Sequence, residues 1–233
     1  MLSTLKIGGL TPFSSTDYPG MLAAVIFCQG CPWRCAYCHN PHLQARHSSE
    51  LIEWDTVQDF LLRRRGLLDA VVFSGGEPTL QHSLLDAILQ TKKLGYKIGL
   101  HTAGIYPKQL AQLLPHLDWV GFDIKTQFAD YGRITLASQS GERVRASAKL
   151  LLQSGVAHEF RTTVHPQLMS HTQLLQLAEE LSDFGVEHYA LQAFRATGCA
   201  DSSLLHDEET DYLNPHFQQS IGANFKSFIF RSA

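Results

Sequence analysis

Hydrophobic and polar positions along the chain follow two periods. Short runs rich in β-branched and aromatic residues at 23–27, 70–73, 97–100, 119–124, 159–164 and 187–191 predict strands. Between most of them, 56–65, 83–94, 107–114, 141–153 and 172–184 read as helices. Leu84, Leu85, Ile88 and Leu89, for example, recur at spacings of three and four and mark one buried face. Strands alternating with helices predict a parallel sheet with right-handed crossovers. No repeat or linker divides the chain, so a single domain over 1–233 is expected, with a core at about 20–195. Residues 196–233 carry no pattern that assigns them a role.

The strands carry a second signal, because side chains alternate between the faces of a sheet. Val120, Phe122 and Ile124 share one face, and Gly121, Asp123 and Lys125 share the other. The next strand sets Phe160, Thr162 and Val164 against Arg161, Thr163 and His165. A flat sheet covered by helices on both faces would bury those charges at a cost of several kcal/mol each. A curled sheet avoids the cost, since helices cover its convex face and its concave face can hold polar groups. The expected fold is therefore α/β, a partial (β/α)6 barrel with its site at the C-terminal ends of the strands. Arg161 on the concave face needs an anion, either Asp123 or a substrate carboxylate.

Composition narrows the picture. With 44% hydrophobic and 18% charged residues the chain can bury a real core, which excludes a disordered tail or linker protein. A net charge of −3 argues against a nucleic-acid footprint. The one basic run, Arg63-Arg64-Arg65-Gly66, reads as a helix end with a glycine stop. No window approaches the ~18 apolar residues of a membrane span, and 1–8 lacks the features of a signal peptide. A cytoplasmic protein with neither membrane nor nucleic acid as partner is expected. Of the cysteines, Cys28, Cys31, Cys35 and Cys38 cluster closely, which in a reducing compartment points to a metal or redox site.

Cys31, Cys35 and Cys38 form a CxxxCxxC run just after the first predicted strand. Three thiolates satisfy three irons of a four-iron cluster and leave one open for a ligand. Zinc, with His39 or Cys28 as a fourth ligand, is a second reading. Cys35-Ala36-Tyr37-Cys38-His39 also matches the c-type haem attachment pattern, which in most systems requires export. The run, with aromatic Tyr37 before its last cysteine, resembles the signature of the radical S-adenosylmethionine (radical SAM) enzymes. That resemblance implies a 4Fe-4S cluster on Cys31, Cys35 and Cys38, with SAM chelating the open iron, Tyr37 against its adenine, and a partial (β/α)6 barrel.

Other motifs extend the resemblance. Ser74-Gly75-Gly76-Glu77-Pro78 is by itself an ordinary strand-to-helix turn, but one unit after the cysteines it resembles the family's GGE motif. The resemblance implies that the backbone of Gly75, Gly76 and Glu77 lies at the SAM amino group. Asp123-Ile124-Lys125 resembles the Asp-x-Lys element of glycyl-radical-enzyme activases, which helps hold SAM, and is otherwise an exposed strand end. His165 resembles an activase position near the ribose or carboxylate of SAM, and is otherwise a histidine satisfied by a backbone carbonyl. Thr11-Pro12-Phe13-Ser14-Ser15-Thr16-Asp17-Tyr18-Pro19-Gly20, just before the first strand, resembles the lead-in of activases, and is otherwise a polar turn fixed by Pro-Gly.

These features look most like the short activating proteins of anaerobic ribonucleoside-triphosphate reductase. The resemblance implies reductive cleavage of SAM with an electron from reduced flavodoxin or ferredoxin, and a glycyl radical on that partner enzyme. Cys28 and Cys199, the cysteines left over, cannot ligate an additional cluster, and Cys28 reads as a small buried hydrophobe. Two alternatives stay open: a radical SAM enzyme acting on a small molecule or peptide, as in 7-carboxy-7-deazaguanine synthases, and a zinc or iron–sulfur scaffold without turnover. Little chain after the sixth strand is expected to roof the cleft.

Overall fold

The computed structural model describes residues 5–199, 201–205 and 212–232. The described residues build one open eight-stranded sheet whose strands lie side by side in chain order. These are β1 (Ile7–Ser14), β2 (Ala23–Cys28), β3 (Ala70–Gly75), β4 (Lys97–Thr102), β5 (Trp119–Asp123), β6 (Ala157–Val164), β7 (His188–Ala193) and β8 (Ser227–Arg231). β1 runs antiparallel to β2, and every later neighbour pairs parallel. Strands β2 to β7 are the six expected from the sequence, with ends moved by one or two residues.

Helices α1 (Trp54–Arg63), α2 (Leu84–Lys93), α3 (Pro107–Leu113), α4 (Tyr131–Thr135), α5 (Ser140–Ser154), α6 (His171–Asp183) and α7 (Pro215–Gly222) complete the fold. Ile26, Phe73, Leu100, Phe122 and Phe160 on the strands pack with Leu61, Ile88, Leu110, Leu151 and Leu177 on the helices, all fully buried. The strands show the expected alternation. Their other face carries an apolar floor of Tyr18, Ala23, Val25, Ala70, Val72 and Trp119, with the charge Glu159 early in β6 and Arg161 and Asp123 paired further along. The Arg63 helix end and the Gly66 stop, at φ 78°, are as expected. Among the described residues, no helix is long and apolar enough to cross a membrane.

Both ends of the chain correct the sequence reading. The lead-in to the first strand is partly strand itself: Thr11 to Ser14 belong to β1, and Tyr18 turns inward to stack on Trp119 at 5.2 Å. The segment from 196 onward, which had no readable role, contains α7 and β8. Asn214 caps α7 by accepting a hydrogen bond from the Phe217 amide at 2.9 Å, with proline at the next position. β8 then brings Arg231 to Glu159 in a two-pronged pair at 2.8 and 3.0 Å. A carboxylate that is 8% exposed thereby finds its counter-charge some seventy residues away in sequence.

Candidate active site

The chain leaves β2 at Cys28 and crosses the C-terminal rim of the sheet as a loop. Backbone bonds fold this loop on itself: the Gly30 amide donates to Leu43 O (2.7 Å) and the Cys31 amide to Gln44 O (3.1 Å). The Cys38 amide donates to Cys35 O (3.2 Å), and Arg34 anchors the loop through its amide to Thr135 O (3.2 Å). All five cysteines are free thiols, with Cys28 sealed in the core and Cys31, Cys35 and Cys38 partly exposed. Burial pushes the Cys31 thiol up to about 12, and it also raises Cys35, against the pull of nearby Lys125.

Three soft thiol donors on one short, partly accessible loop fit the donor chemistry of an iron–sulfur cluster. A single zinc ion fits less well. Among the described residues no three Cys, His, Asp or Glu side chains gather as ligands for one ion, as tetrahedral zinc at about 2.0–2.3 Å from each donor requires. Of the two proposed fourth ligands, Cys28 is in the core and the His39 Nε2 lies 2.9 Å from Arg195 O.

The turn after β3 is pressed against this loop. Gly76 and Glu77 donate their amides to Cys28 O and Gly30 O, each at 2.9 Å. A Cβ on Gly76 would stand 2.4 Å from Gly30 O and 2.9 Å from Leu43 O, so only glycine allows the approach. With those amides engaged, an ammonium ligand, itself a donor, needs the carbonyls of the turn. The Glu77 carboxylate is fully buried and accepts from the Thr79 amide (3.1 Å), the Thr79 hydroxyl, the Thr102 hydroxyl (2.7 Å) and the Ala103 amide (3.0 Å). Burial raises its pKa, and the hydrogen bonds oppose that rise. Sequence reasoning placed the backbone of Glu77, with that of Gly75 and Gly76, at the SAM amino group. The structure shows the Glu77 side chain clamping the end of β4, and Thr102 and Ala103 enter the site as supports that no local motif announced.

A charged cluster lies on the concave face. Asp123, at the end of β5, accepts from Arg161 Nη2 at 2.8 Å and Nε at 3.0 Å, and Lys125 Nζ is 3.5 Å away. Gly121 makes room, since a Cβ there would meet Arg161 Cζ at 2.7 Å. Burial raises the Asp123 carboxyl, but Arg161 and Lys125 outweigh it and bring it down to about 2. Lys125 Nζ also lies over the Tyr37 ring, 5.6 Å from its centre. Tyr37 is buried, and its hydroxyl has no hydrogen-bond partner among the described residues. Beneath the cluster His101 Nε2 is 2.8 Å from Asp17 O and 3.3 Å from Arg161 Nη1. Burial and the Arg161 charge bring His101 down to about 4, so the ring is neutral near pH 7.

Cys35, Tyr37, Asp123 and Lys125 are thus neighbours, and Gly75, Gly76 and Glu77 adjoin the Cys31 side. His165 is turned elsewhere. Its Nδ1 accepts from the Gln167 amide at 3.3 Å, which leaves Nε2–H to donate to Leu204 O at 3.1 Å. This is the backbone-satisfied alternative weighed from sequence. The expectation that little chain roofs the cleft is also corrected. β7 ends beside the cysteine loop, and residues 194–199 and 201–205 fold onto it. His39 stacks on Phe194 at 5.4 Å, the Cys199 thiol donates to Ala36 O at 3.5 Å, and Leu204 joins Tyr37 and Ile134 in one apolar cluster.

The sequence matches the Radical SAM superfamily over residues 25–178. A Methanocaldococcus jannaschii protein, provisionally named a glycyl-radical enzyme activating enzyme, is 29% identical over 207 residues, covering 85% of this chain and 83% of its own. The pyruvate formate-lyase 1-activating enzyme of Escherichia coli K12 is 31% identical over 171 residues, 69% of each chain. In fold, the crystal structure of Streptococcus suis SuiB bound to S-adenosylmethionine is similar at a TM-score of 0.62 with 16% identity, covering 88% of this chain and 48% of that one. The chain therefore spans about half of SuiB, and that likeness speaks for the fold alone. Enzymes of the matched superfamily use a 4Fe-4S cluster and SAM. The chain belongs to the radical SAM superfamily, as an enzyme homologous to glycyl-radical-enzyme activating enzymes.

Proposed function

We propose that this enzyme reductively cleaves SAM at a 4Fe-4S cluster held by Cys31, Cys35 and Cys38 and generates a glycyl radical on anaerobic ribonucleoside-triphosphate reductase. Bound there, the cluster supplies one electron to the SAM sulfonium, whose cleavage to methionine leaves the carbon radical that takes a hydrogen atom from a backbone glycine. The observation that carries the reading is the Arg161–Asp123–Lys125 cluster beside the cysteine loop. Two cations around one carboxylate leave a surplus positive charge on a partly buried face, which suits the carboxylate of an amino-acid ligand.

In this reading Lys125 meets the SAM carboxylate, Asp123 holds Lys125 and Arg161 in place, and the Gly75–Gly76 turn offers carbonyls to the ammonium. Tyr37 screens the cation on its ring face from water. The Glu77 side chain acts by holding the turn, and His165 by fixing Leu204. Reduced flavodoxin or ferredoxin supplies the electron, and the cytoplasm is the setting. Relatives that bear glycyl-radical activating names and align over most of the chain support a protein substrate.

The test is SAM cleavage under strict anaerobiosis with dithionite, with and without the reductase. Slow release of methionine and 5′-deoxyadenosine, accelerated by the reductase, is expected, and any one of Cys31→Ala, Cys35→Ala or Cys38→Ala abolishes it along with the iron. Acceleration by a small metabolite and not by the reductase would hand the assignment to the small-molecule alternative.

A further inference from the structure

The protein as a whole is acidic, yet between Asp17 and Glu50 the chain has no acidic residue, while it carries Arg34, Arg46, His39, His42 and His47. The cysteine loop therefore sits in a cationic stretch of an anionic molecule. Its two sides differ. On the inner side Cys35 is within electrostatic reach of Lys125 and Asp123 on the concave face. On the outer side Arg34 donates from Nη1 to Cys31 O at 2.8 Å, and the segment leading to Arg46 lies along Cys31, whose amide bonds Gln44 O.

Two further residues belong to this outer side. Tyr106, just before α3, is within electrostatic reach of Arg46, Arg143, Glu77 and Cys31. Arg34 is joined to Thr135 through its amide, and the Thr135 hydroxyl to that of Ser140 at 2.9 Å, one turn of α5 before Arg143. Arg34, Arg46 and Arg143 are all exposed, and none forms an ion pair among the described residues. The nearest acidic residue on α5, Glu142, instead lines an outer groove with Arg145 and Lys149. Next to Thr135 stands Leu136, 73% exposed and held at φ 53°. Leu136 is thus both strained in its backbone and exposed to water.

We propose that this outer side of the cysteine loop is the docking surface for an acidic one-electron carrier protein, with Arg34, Arg46 and Arg143 facing its carboxylates and Leu136 its apolar centre. The proposal rests on the reading of the loop as a cluster site that must be reduced. Three exposed arginines without an ion pair among the described residues, on the segments that adjoin the cysteine loop and Leu136, make a small, charge-steered patch, the form suited to a brief redox encounter. The substrate protein has to reach the concave face on the other side of the loop, so both partners can be present together. In the encounter the carrier loses one electron and the site gains it, and no bond is made or broken.

The probe is a flavodoxin, titrated against the iron-loaded protein at about 50 and about 300 mM salt. Arg34→Glu/Arg46→Glu/Arg143→Glu is expected to weaken binding at least about tenfold at low salt and to flatten its salt dependence, with iron content retained. Arg64→Glu/Arg65→Glu, at the far end of α1, should leave binding unchanged. If the triple variant loses iron, Arg46→Glu/Arg143→Glu is used in its place, with a loss of about threefold or more expected. Wild-type protein that does not bind flavodoxin, equal loss in the α1 control, or loss of binding to the reductase in place of flavodoxin would each overturn the proposal. Loss of flavodoxin binding in a protein that activates no glycyl-radical enzyme would sustain the surface while refuting the activase assignment.

Discussion

Glu77 and Asp123 are two carboxylates of one site that do opposite work. Glu77 is fully buried among neutral donors, the hydroxyls and amides of Thr79, Thr102 and Ala103, and its pKa is raised. Asp123 is partly open and lies between two cations, and its pKa falls to about 2. The first is a clamp whose bonds are all spent inside the fold. The second leaves one cation of its cluster in surplus and, in the proposed reading, is part of a receptor. Proximity to the site does not by itself make a carboxylate a ligand-binding group. What surrounds it decides.

The largest effect is expected at the clamp. Glu77→Ala strands two hydroxyls and two amides in the interior and should cost on the order of 4 kcal/mol in denaturant unfolding, with Glu77→Gln in between because an amide offers one acceptor where the carboxylate offers two. Gly76→Ala attacks the same junction sterically. Its Cβ would collide with two backbone carbonyls, so iron content should drop severalfold by metal analysis. At the receptor, Lys125→Ala should weaken SAM binding about tenfold, roughly 1.4 kcal/mol, in equilibrium dialysis with iron retained. His165→Ala should act mainly on thermal stability, because both ring nitrogens are bonded within the chain. A SAM affinity in His165→Ala as poor as in Lys125→Ala would return that histidine to the ligand.

The smallest effect is on acid stability, where the two carboxylates differ in sign. The folded pKa of Asp123, about 2, lies below the ordinary 3.8, so its contribution is complete above about 3.8 and is lost as pH falls through 2. The stability gap between wild type and Asp123→Asn, on the order of 1–2 kcal/mol at pH 5, should close toward pH 2. Glu77, with its pKa raised, contributes most when protonated, so Glu77→Gln should show its gap narrowing as pH rises. Gaps that move in the same direction for both would refute the contrast.

Much of this was legible from sequence because it is local. The alternation of Val120, Phe122 and Ile124 with Gly121, Asp123 and Lys125 needs only the two-residue period of a strand, and it anticipated both the curled sheet and the Arg161–Asp123 pair. The cysteine spacing and the Gly-Gly-Glu turn are likewise contiguous. What escaped depends on contacts distant in sequence. Nothing near Glu77 announces Thr102 and Ala103, and nothing near Glu159 announces Arg231. Tyr18 sits in a stretch that reads as a turn, and its stacking on Trp119 and packing with the rest of the apolar floor explain its burial. The C-terminal elements did leave signals: Asn214-Pro215 is a helix start, and Ser227-Phe228-Ile229-Phe230 has strand composition.

The central claim is that the charged receptor and the cysteine loop serve a radical delivered to a protein glycine. Electron paramagnetic resonance of anaerobic ribonucleoside-triphosphate reductase, after mixing with this protein, SAM and reductant, tests it most directly. The account predicts a doublet glycyl signal that depends on Cys31, Cys35 and Cys38 and fades in Lys125→Ala. Turnover of SAM to 5′-deoxyadenosine with no such signal, in that reductase or any glycyl-radical enzyme of the same cell, would contradict it.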